Sequence, residues 1–416
     1  MRPEARLQAV IEILDGLART AVPADRFIRD YFRARRYAGS KDRAWVAERV
    51  FQIFRHRAAY AWRMSDDSSR ALVIASLLAD NLYADEIAIL FSGSGYDPAP
   101  LSEVERQAIE NQPAATPPLS VQGEFPAFLE SELTERFGDN LLAEMCALNE
   151  RAPVDLRVNT LKAARGDVLA ALRADGFVAE PTRYSPVGIR LPAGTTGLER
   201  TALYTSGTFE FQDEAAQIAA ILCEAAPGAR VLDLAAGAGG KALALAAAME
   251  NHGTVVASDI SPARLAQIGP RAARAGADII TAERKPKGVF ACVLLDAPCS
   301  GSGTWRRQPE QKWRLREARL AELMALQDQL LAQAAAHVTP GGRLIYATCS
   351  LLPCENERRI AAFLARRPDF AAMSAEVVWR RVTGAVSPPG MGGVFRASPY
   401  SSGMDGFFTA VLARTE

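Results

Sequence analysis

Arg230-Val231-Leu232-Asp233-Leu234 runs straight into Ala235-Ala236-Gly237-Ala238-Gly239-Gly240-Lys241, and then into an alanine-rich stretch ending at Met249. The first part reads as a buried strand, the second as a tight turn and the third as a helix. A turn of this kind leaves backbone N–H groups free at the helix start. The same alternation continues on both sides. A helix is expected from Asp213 to Glu224, ahead of the strand. After it comes a second strand, Thr254 to Ser258, ending in Asp259. Ser261-Pro262 then has the pattern of an N-cap followed by proline at the first helical position. Further strands are expected near Ile279, at Phe290 to Leu295 and at Arg343 to Tyr346, with a long helix from about Glu317 to His337. This winding predicts a mainly parallel, doubly wound α/β sheet.

Two of these strands end in chemistry. Leu294-Leu295-Asp296-Ala297-Pro298-Cys299-Ser300-Gly301-Ser302-Gly303-Thr304 and Tyr346-Ala347-Thr348-Cys349-Ser350 each pass abruptly from apolar to small and polar residues. Ligands in open α/β sheets bind beyond the carboxyl ends of the strands, so two thiols and one carboxylate are candidates for a common crevice. Asp259, ending the second strand, is placed to take the hydroxyls of a ribose. The spacing of Gly237, Gly239 and Gly240 departs from GxGxxG, which counts against a dinucleotide.

The chain has 416 residues, 49% apolar and 23% charged, with 48 basic and 48 acidic side chains. That is ordinary for a globular protein of two or three domains. No apolar run is long enough to span a membrane and no leader pattern opens the chain, so a cytoplasmic monomer is expected. With zero net charge, nucleic-acid binding would need local basic clusters. Candidates are Arg33 to Arg43, interleaved with Tyr31, Phe32 and Tyr37, and Arg306-Arg307 through Arg319. Arg366-Arg367 reads as a solvated helix face. Cys146, Cys223 and Cys292 sit in apolar surroundings and are expected to be core residues. No CxxC pair or His/Cys spacing suggests a metal.

Residues 1 to about 95 read as helices, with stripes at Leu7, Val10, Ile11, Leu14 and Leu17, and at Trp45 through Phe54. Pro98 to Pro118 reads as a linker. A strand at Val154 to Asn159 and a helix at Ala163 to Asp175 suggest a small α+β module, with Arg151, Arg157, Lys162 and Arg165 as an RNA-facing patch. The expected division is a helical domain plus linker at 1–118, the α+β module at 119–205 and the sheet domain at 206–416.

A thiol at the strand end Asp296-Ala297-Pro298-Cys299 would not help methylate an amine, where an aromatic residue usually stands. It suits methylation of carbon, because C5 of cytosine becomes nucleophilic only after something adds to C6. Taken singly, each cysteine is most simply a strand-end residue; two in matching positions point to chemistry. Asp296 to Thr304 together with Arg306-Arg307-Gln308-Pro309-Glu310, Lys312-Trp313, Ala347-Thr348-Cys349-Ser350 and Glu355-Asn356 resembles the Nop/Sun family of RNA cytosine-5 methyltransferases. So do Arg157-Val158-Asn159-Thr160-Leu161-Lys162, Phe211-Gln212-Asp213 and Met404-Asp405-Gly406-Phe407-Phe408. The N-terminal helices resemble the NusB-like RNA-binding domain of bacterial members.

The resemblance implies a Rossmann-like methyltransferase domain using S-adenosylmethionine on RNA, with ribosomal RNA the expected substrate. It makes Cys349 the nucleophile, Cys299 the thiol that assists release and Asp296 the contact to N3 of the base, with Lys241 lining the site. It assigns cofactor binding to Ala235, Ala236, Gly237, Ala238, Gly239, Gly240, Lys241, Asp259, Arg264, Glu283 and Asp296. The family turn usually reads Cys-Ala-Ala-Pro-Gly-Gly-Lys, so Ala235, Gly237 and Ala238 depart from it. Without the resemblance the two thiols cannot be ranked, since cytosine-5 enzymes acting on DNA use the Pro-Cys thiol. Two other readings stand beside it: an RNA-binding assembly factor with a degenerate methyltransferase fold, and a Rossmann-type oxidoreductase, which would have no need of two thiols.

Overall fold

The structure is a computed structural model and describes residues 1–111 and 113–415. The chain divides into two compact units. One comprises Met1–Asn149 with Trp305–Leu315, the other Glu150–Thr304 with Arg316–Glu416. No helix among the described residues is long and apolar enough to cross a membrane.

The first unit is helical. Its core joins Leu7, Val10, Leu14 and Leu17 of the Pro3–Ala18 helix to Val46, Val50 and Ile53 of Ser40–Arg55 and to the apolar Ser69–Ala79 helix. The expected linker contains a further helix, Glu103–Glu110. Ser102 and Glu105 form its capping box, a signal outweighed in the sequence by the surrounding prolines. Cys146 is exposed, not buried. Its helix, Leu141–Asn149, buries Leu141, Met145 and Leu148, and position 146 falls off that stripe.

Part of the basic run from Arg306 to Arg319 is structural, which corrects its reading as a surface patch at Arg306, Lys312 and Arg314, while Arg307, Arg316 and Arg319 are exposed. Arg306 and Lys312 are buried, and the Arg314 guanidinium donates to the carbonyls of Leu17 and Val22. Lys312 donates to Asn149 Oδ1 at 2.8 Å, and burial drives its pKa down to about 7. Trp313 Nε1 donates to the Phe54 carbonyl at 2.6 Å, so the Pro309–Arg314 helix is part of this core.

The second unit holds two sheets. The smaller consists of β1 (Val154–Val158), β2 (Glu180–Pro181), β3 (Gly188–Leu191) and β4 (Phe209–Phe211), in the order β2-β3-β1-β4. The larger contains β5 (Arg230–Leu234), β6 (Thr254–Ser258), β7 (Ile280–Ala282), β8 (Phe290–Asp296), β9 (Val338–Thr348), β10 (Phe370–Met373), β11 (Phe395–Ala397) and β12 (Phe407–Arg414). Its order is β10-β12-β9-β8-β5-β6-β7, with β11 also on β12. The stretch from β9 to β7 is parallel, as expected, and the C-terminal strands add antiparallel.

Alternate residues of the central strands face opposite cores. Val231 and Leu294 pack with the Glu214–Ile221, Gly240–Ala248 and Ala375–Thr383 helices, while Leu232 and Leu295 pack with Glu317–Ala336 and Glu357–Arg366. The sheet is thus covered on both faces, and its Rossmann-like, doubly wound form is established.

The proposed basic patch of the small module is overturned at its centre. Arg157 is buried and donates to Gln212 Oε1 and, at 2.9 Å, to the Gly240 carbonyl. Asn159 Nδ2 donates to the carbonyls of Gly207 and Ala275, Lys162 Nζ to those of Ser206 and Arg274, and Arg165 to that of Ser185. Arg157, Asn159 and Lys162 tie the module to the larger sheet's surroundings, while Arg165 is held inside the module.

Candidate active site

Four strand ends lie side by side, and each delivers one part of the site. From β5 the chain enters the small-residue turn, where Ala235, Gly237 and Gly239 have φ of +68°, +58° and +83°. A side chain at such angles is strained, so Ala235 is held there by its surroundings. The turn has no proline. Asp259, at the end of β6, pins it instead: Oδ2 accepts from the Gly237 amide at 2.9 Å, and Oδ1 accepts from the Ser261 amide at 2.7 Å. The Ala236 amide donates to the Ser258 carbonyl, and the Ala238 carbonyl accepts from Arg271. Gly240 begins the next helix and Lys241 follows in its first turn.

Lys241 Nζ meets Asp296 Oδ2, at the end of β8, at 2.6 Å. Burial opposes the ammonium, but Asp296, with Asp233 and Cys349 adding to it, outweighs burial and the pKa of Lys241 is raised. Lys241 therefore stays charged, 5.3 Å from the centre of the Phe407 ring. Beyond Asp296, Cys299 Sγ lies 3.4 Å from Cys349 Sγ, which follows β9. The contact with Cys349, burial and the nearby Glu355 charge push the Cys299 thiol well above its ordinary pKa.

The two cysteine loops are laced together by backbone. The Ala297 amide donates to the Ala347 carbonyl, and the Gly303 amide donates to the Cys349 carbonyl at 2.9 Å. The Gly406 amide donates to the Gly303 carbonyl at 2.8 Å. That approach explains both glycines: a Cβ on Gly303 would meet the Gly406 oxygen at 2.0 Å.

The structure thus brings Lys241, Asp296, Cys299 and Cys349 together, with Ala235 to Gly240 and Asp259 at the adjoining strand ends. Glu283 follows β7, half-buried, its amide donating to the Ala257 carbonyl. Arg264 is exposed on the short Pro262–Leu265 helix.

Asp233 was not singled out in the sequence as a site residue. It sits in β5, fully buried, and neither carboxylate oxygen has a hydrogen-bond partner among the described residues; the Ala242 amide faces it outside hydrogen-bond geometry. Burial raises its pKa to about 7, against the pull of Lys241 and with the push of Asp296 and Asp259. The available signal was an acid among Val231, Leu232 and Leu234, inside the apolar part of the strand. Phe407 and Glu355 gave only their motifs.

Residues 220–413 match the family described as 16S rRNA methyltransferase RsmB/F, and residues 125–196 match the ferredoxin-like domain of RsmF/B-like methyltransferases. Ribosomal RNA small subunit methyltransferase B of Sodalis glossinidius is 34% identical over 328 residues, covering 76% of this chain and 69% of that one. The same-named protein of Pectobacterium atrosepticum is 34% identical over 299 residues, covering 70% and 66%. Among solved structures, PH0851 aligns over 99% of both chains with a TM-score of 0.77 at 26% identity. NSun6 from Pyrococcus horikoshii aligns over 70% of this chain and 99% of its own, with a TM-score of 0.62 at 20% identity, a likeness of fold. With its converging strand ends and these relatives, the chain belongs to the RsmB/F family of rRNA methyltransferases.

Proposed function

We propose that this protein methylates C5 of a cytosine in ribosomal RNA, using S-adenosylmethionine and a covalent bond between Cys349 and C6. The observation that carries this reading is the 3.4 Å approach of two thiols from separate strand ends, beside the Lys241–Asp296 pair. A Rossmann-type oxidoreductase passing hydride to NAD has no need of the two thiols, and an assembly factor has no reason to keep them.

The residues suit the cofactor. Asp233 offers a buried carboxylate without a partner among the described residues, complementary to a cationic ligand, below a turn of small residues. Asp259 and the residues from Ala235 to Lys241 would hold it, with Glu283 and Arg264 at the margin. S-adenosylmethionine supplies an electrophilic methyl group.

Cys349 Sγ adds to C6 as a thiolate, the C5–C6 π pair shifts to C4–C5 and the C4–N3 π pair moves onto N3. The proton lost by the thiol is balanced by one gained at N3, where Asp296 accepts the hydrogen bond of the N3–H. Lys241 holds that carboxylate in place. C5 then takes the methyl group. The C5 proton passes to a water molecule, the C6–S bond breaks as C5=C6 re-forms with the sulfur keeping the bonding pair, and the proton on N3 returns to the Cys349 thiolate. Cys299, held protonated by its surroundings, assists this breakdown. The base must be unpaired or flipped out for C6 to reach Sγ.

Substrate RNA and S-adenosylmethionine, run with each cysteine variant on a denaturing gel, test the assignment. Cys349→Ala should give neither 5-methylcytosine nor a covalent complex. Cys299→Ala should transfer methyl and accumulate a protein–RNA adduct. The reverse pattern would exchange the two roles.

A further inference from the structure

Each cysteine is followed by a serine, and both serines turn to the same buried side chain. Glu355 is fully buried. Its Oε1 accepts from the Ser300 amide at 2.8 Å and from Gln327 Nε2 at 3.0 Å. Its Oε2 accepts from Ser300 Oγ at 2.5 Å and from Ser350 Oγ. Burying an anion is costly unless its lone pairs are used, and four donors here meet that need.

The surroundings extend the same hold. Gln327 also donates to the Pro298 carbonyl at 2.9 Å, just before Cys299. The Glu355 carbonyl accepts from Tyr346 OH at 2.6 Å. Asn356 accepts from Thr348 Oγ1 at 2.6 Å and donates to the Ser350 carbonyl at 2.9 Å, on either side of Cys349. Ser302 Oγ in turn accepts from the Leu351 amide.

We propose that Glu355 is a positioning residue that sets the spacing of Cys299 and Cys349 by binding the residue after each. It touches neither thiol; its charge raises the Cys299 pKa, which Glu355→Gln would relax and so favour disulfide formation, but its hold on their spacing runs through Ser300 and Ser350. The inference rests on the two-thiol reaction proposed above. Its physical basis is that the loops arise from different strands and their tips are small residues, so a shared acceptor fixes them against each other. A thiol misplaced by about 1 Å from its reacting carbon can cost on the order of a hundredfold in rate.

Glu355→Gln keeps the size but puts an N–H₂ where donors now point. The variant should bind S-adenosylmethionine and RNA as the wild type does, with kcat lowered at least about 30-fold and KM nearly unchanged. Spacing is read separately with diamide, which takes two thiols to a disulfide while its diazene is reduced to a hydrazine. Peptide mapping should show the Cys299–Cys349 disulfide forming at least about tenfold more slowly in Glu355→Gln. If that variant does not fold, Ser300→Ala/Ser350→Ala removes two donors, leaves the carboxylate two others, and should show the same pattern. Unchanged kcat, or an unchanged rate of disulfide formation, overturns the inference. A wild type that makes no 5-methylcytosine strikes the proposed reaction instead, and the disulfide rate still decides the role of Glu355.

Discussion

Asp233 shows how a single side chain couples the site to pH. Its carboxyl has a folded pKa of about 7 against an ordinary 3.8, because burial disfavours the charged form. Below about pH 4 it is protonated folded or unfolded and contributes nothing; stability then falls as pH rises, and the full penalty is present above about pH 7. A shift of this size corresponds to about 4 kcal/mol. The groups facing it are Lys241, which favours the anion, and Asp296 and Asp259, which oppose it. Asp233→Asn should therefore flatten the dependence of melting temperature on pH between about 4 and 7. A cationic ligand favours the ionised acid, so calorimetric affinity for S-adenosylmethionine should rise with pH through about 7 in the wild type and not in Asp233→Asn. Parallel profiles for the two proteins would remove Asp233 from the cofactor site. Asp259 makes a different prediction. Asp259→Ala loses the turn's amide anchor, and should weaken cofactor binding by about 1.5–3 kcal/mol, the usual worth of a charged acceptor.

The contact between the Ser302-Gly303 turn and Gly406 is the clearest dependence of one element on another. Gly303→Ala would drive a methyl into the Gly406 carbonyl, displacing the loop whose Gly303 amide binds the Cys349 carbonyl. Overpacking of this kind costs about 1–3 kcal/mol, so a lowered melting temperature with loss of methyl transfer is expected. Wild-type behaviour in both would mean the two turns part easily. The strand ends themselves could be read in advance. Strands β5 and β6 fall where alternation and the turn residues placed them, and the thiols stand at the ends of the expected strands. An apolar run and its punctuation are local, and parallel strands buried on both faces display them. What escaped depends on partners distant in sequence. Arg157 looks like a phosphate ligand until Gln212 and Gly240 are seen to receive it, and Lys312 like a surface charge until Asn149 does. Asp233 and Glu355 escaped for the same reason, since one is defined by a missing partner and the other by four.

At the scale of the whole chain, the helical unit is completed by a segment that follows the Pro-Cys loop. Trp305–Leu315 belongs with Met1–Asn149, and Trp313 and Lys312 are bonded within that unit. Removing residues 1 to about 95 would strip Phe54 from Trp313 and Leu17 and Val22 from Arg314, so truncation is a poor test of RNA binding. Surface charge is a better one. Arg33, Arg36, Lys41 and Arg43 are exposed around the connection between the Ala24–Arg33 and Ser40–Arg55 helices, while Arg35 stacks on Tyr31 at 3.7 Å. Arg33 is paired with Asp30, but both side chains are well exposed, and such a pair yields readily to a phosphate. If this face binds the RNA backbone, Arg33→Gln/Arg36→Gln/Lys41→Gln should weaken binding to a 16S rRNA fragment. The slope of log affinity against log salt should become shallower by about 1–3, one step for each phosphate no longer neutralised. Melting temperature and S-adenosylmethionine affinity should stay as they are, because none of the three substituted side chains is buried. An unchanged salt slope would move the RNA-binding surface off this face of the helical unit.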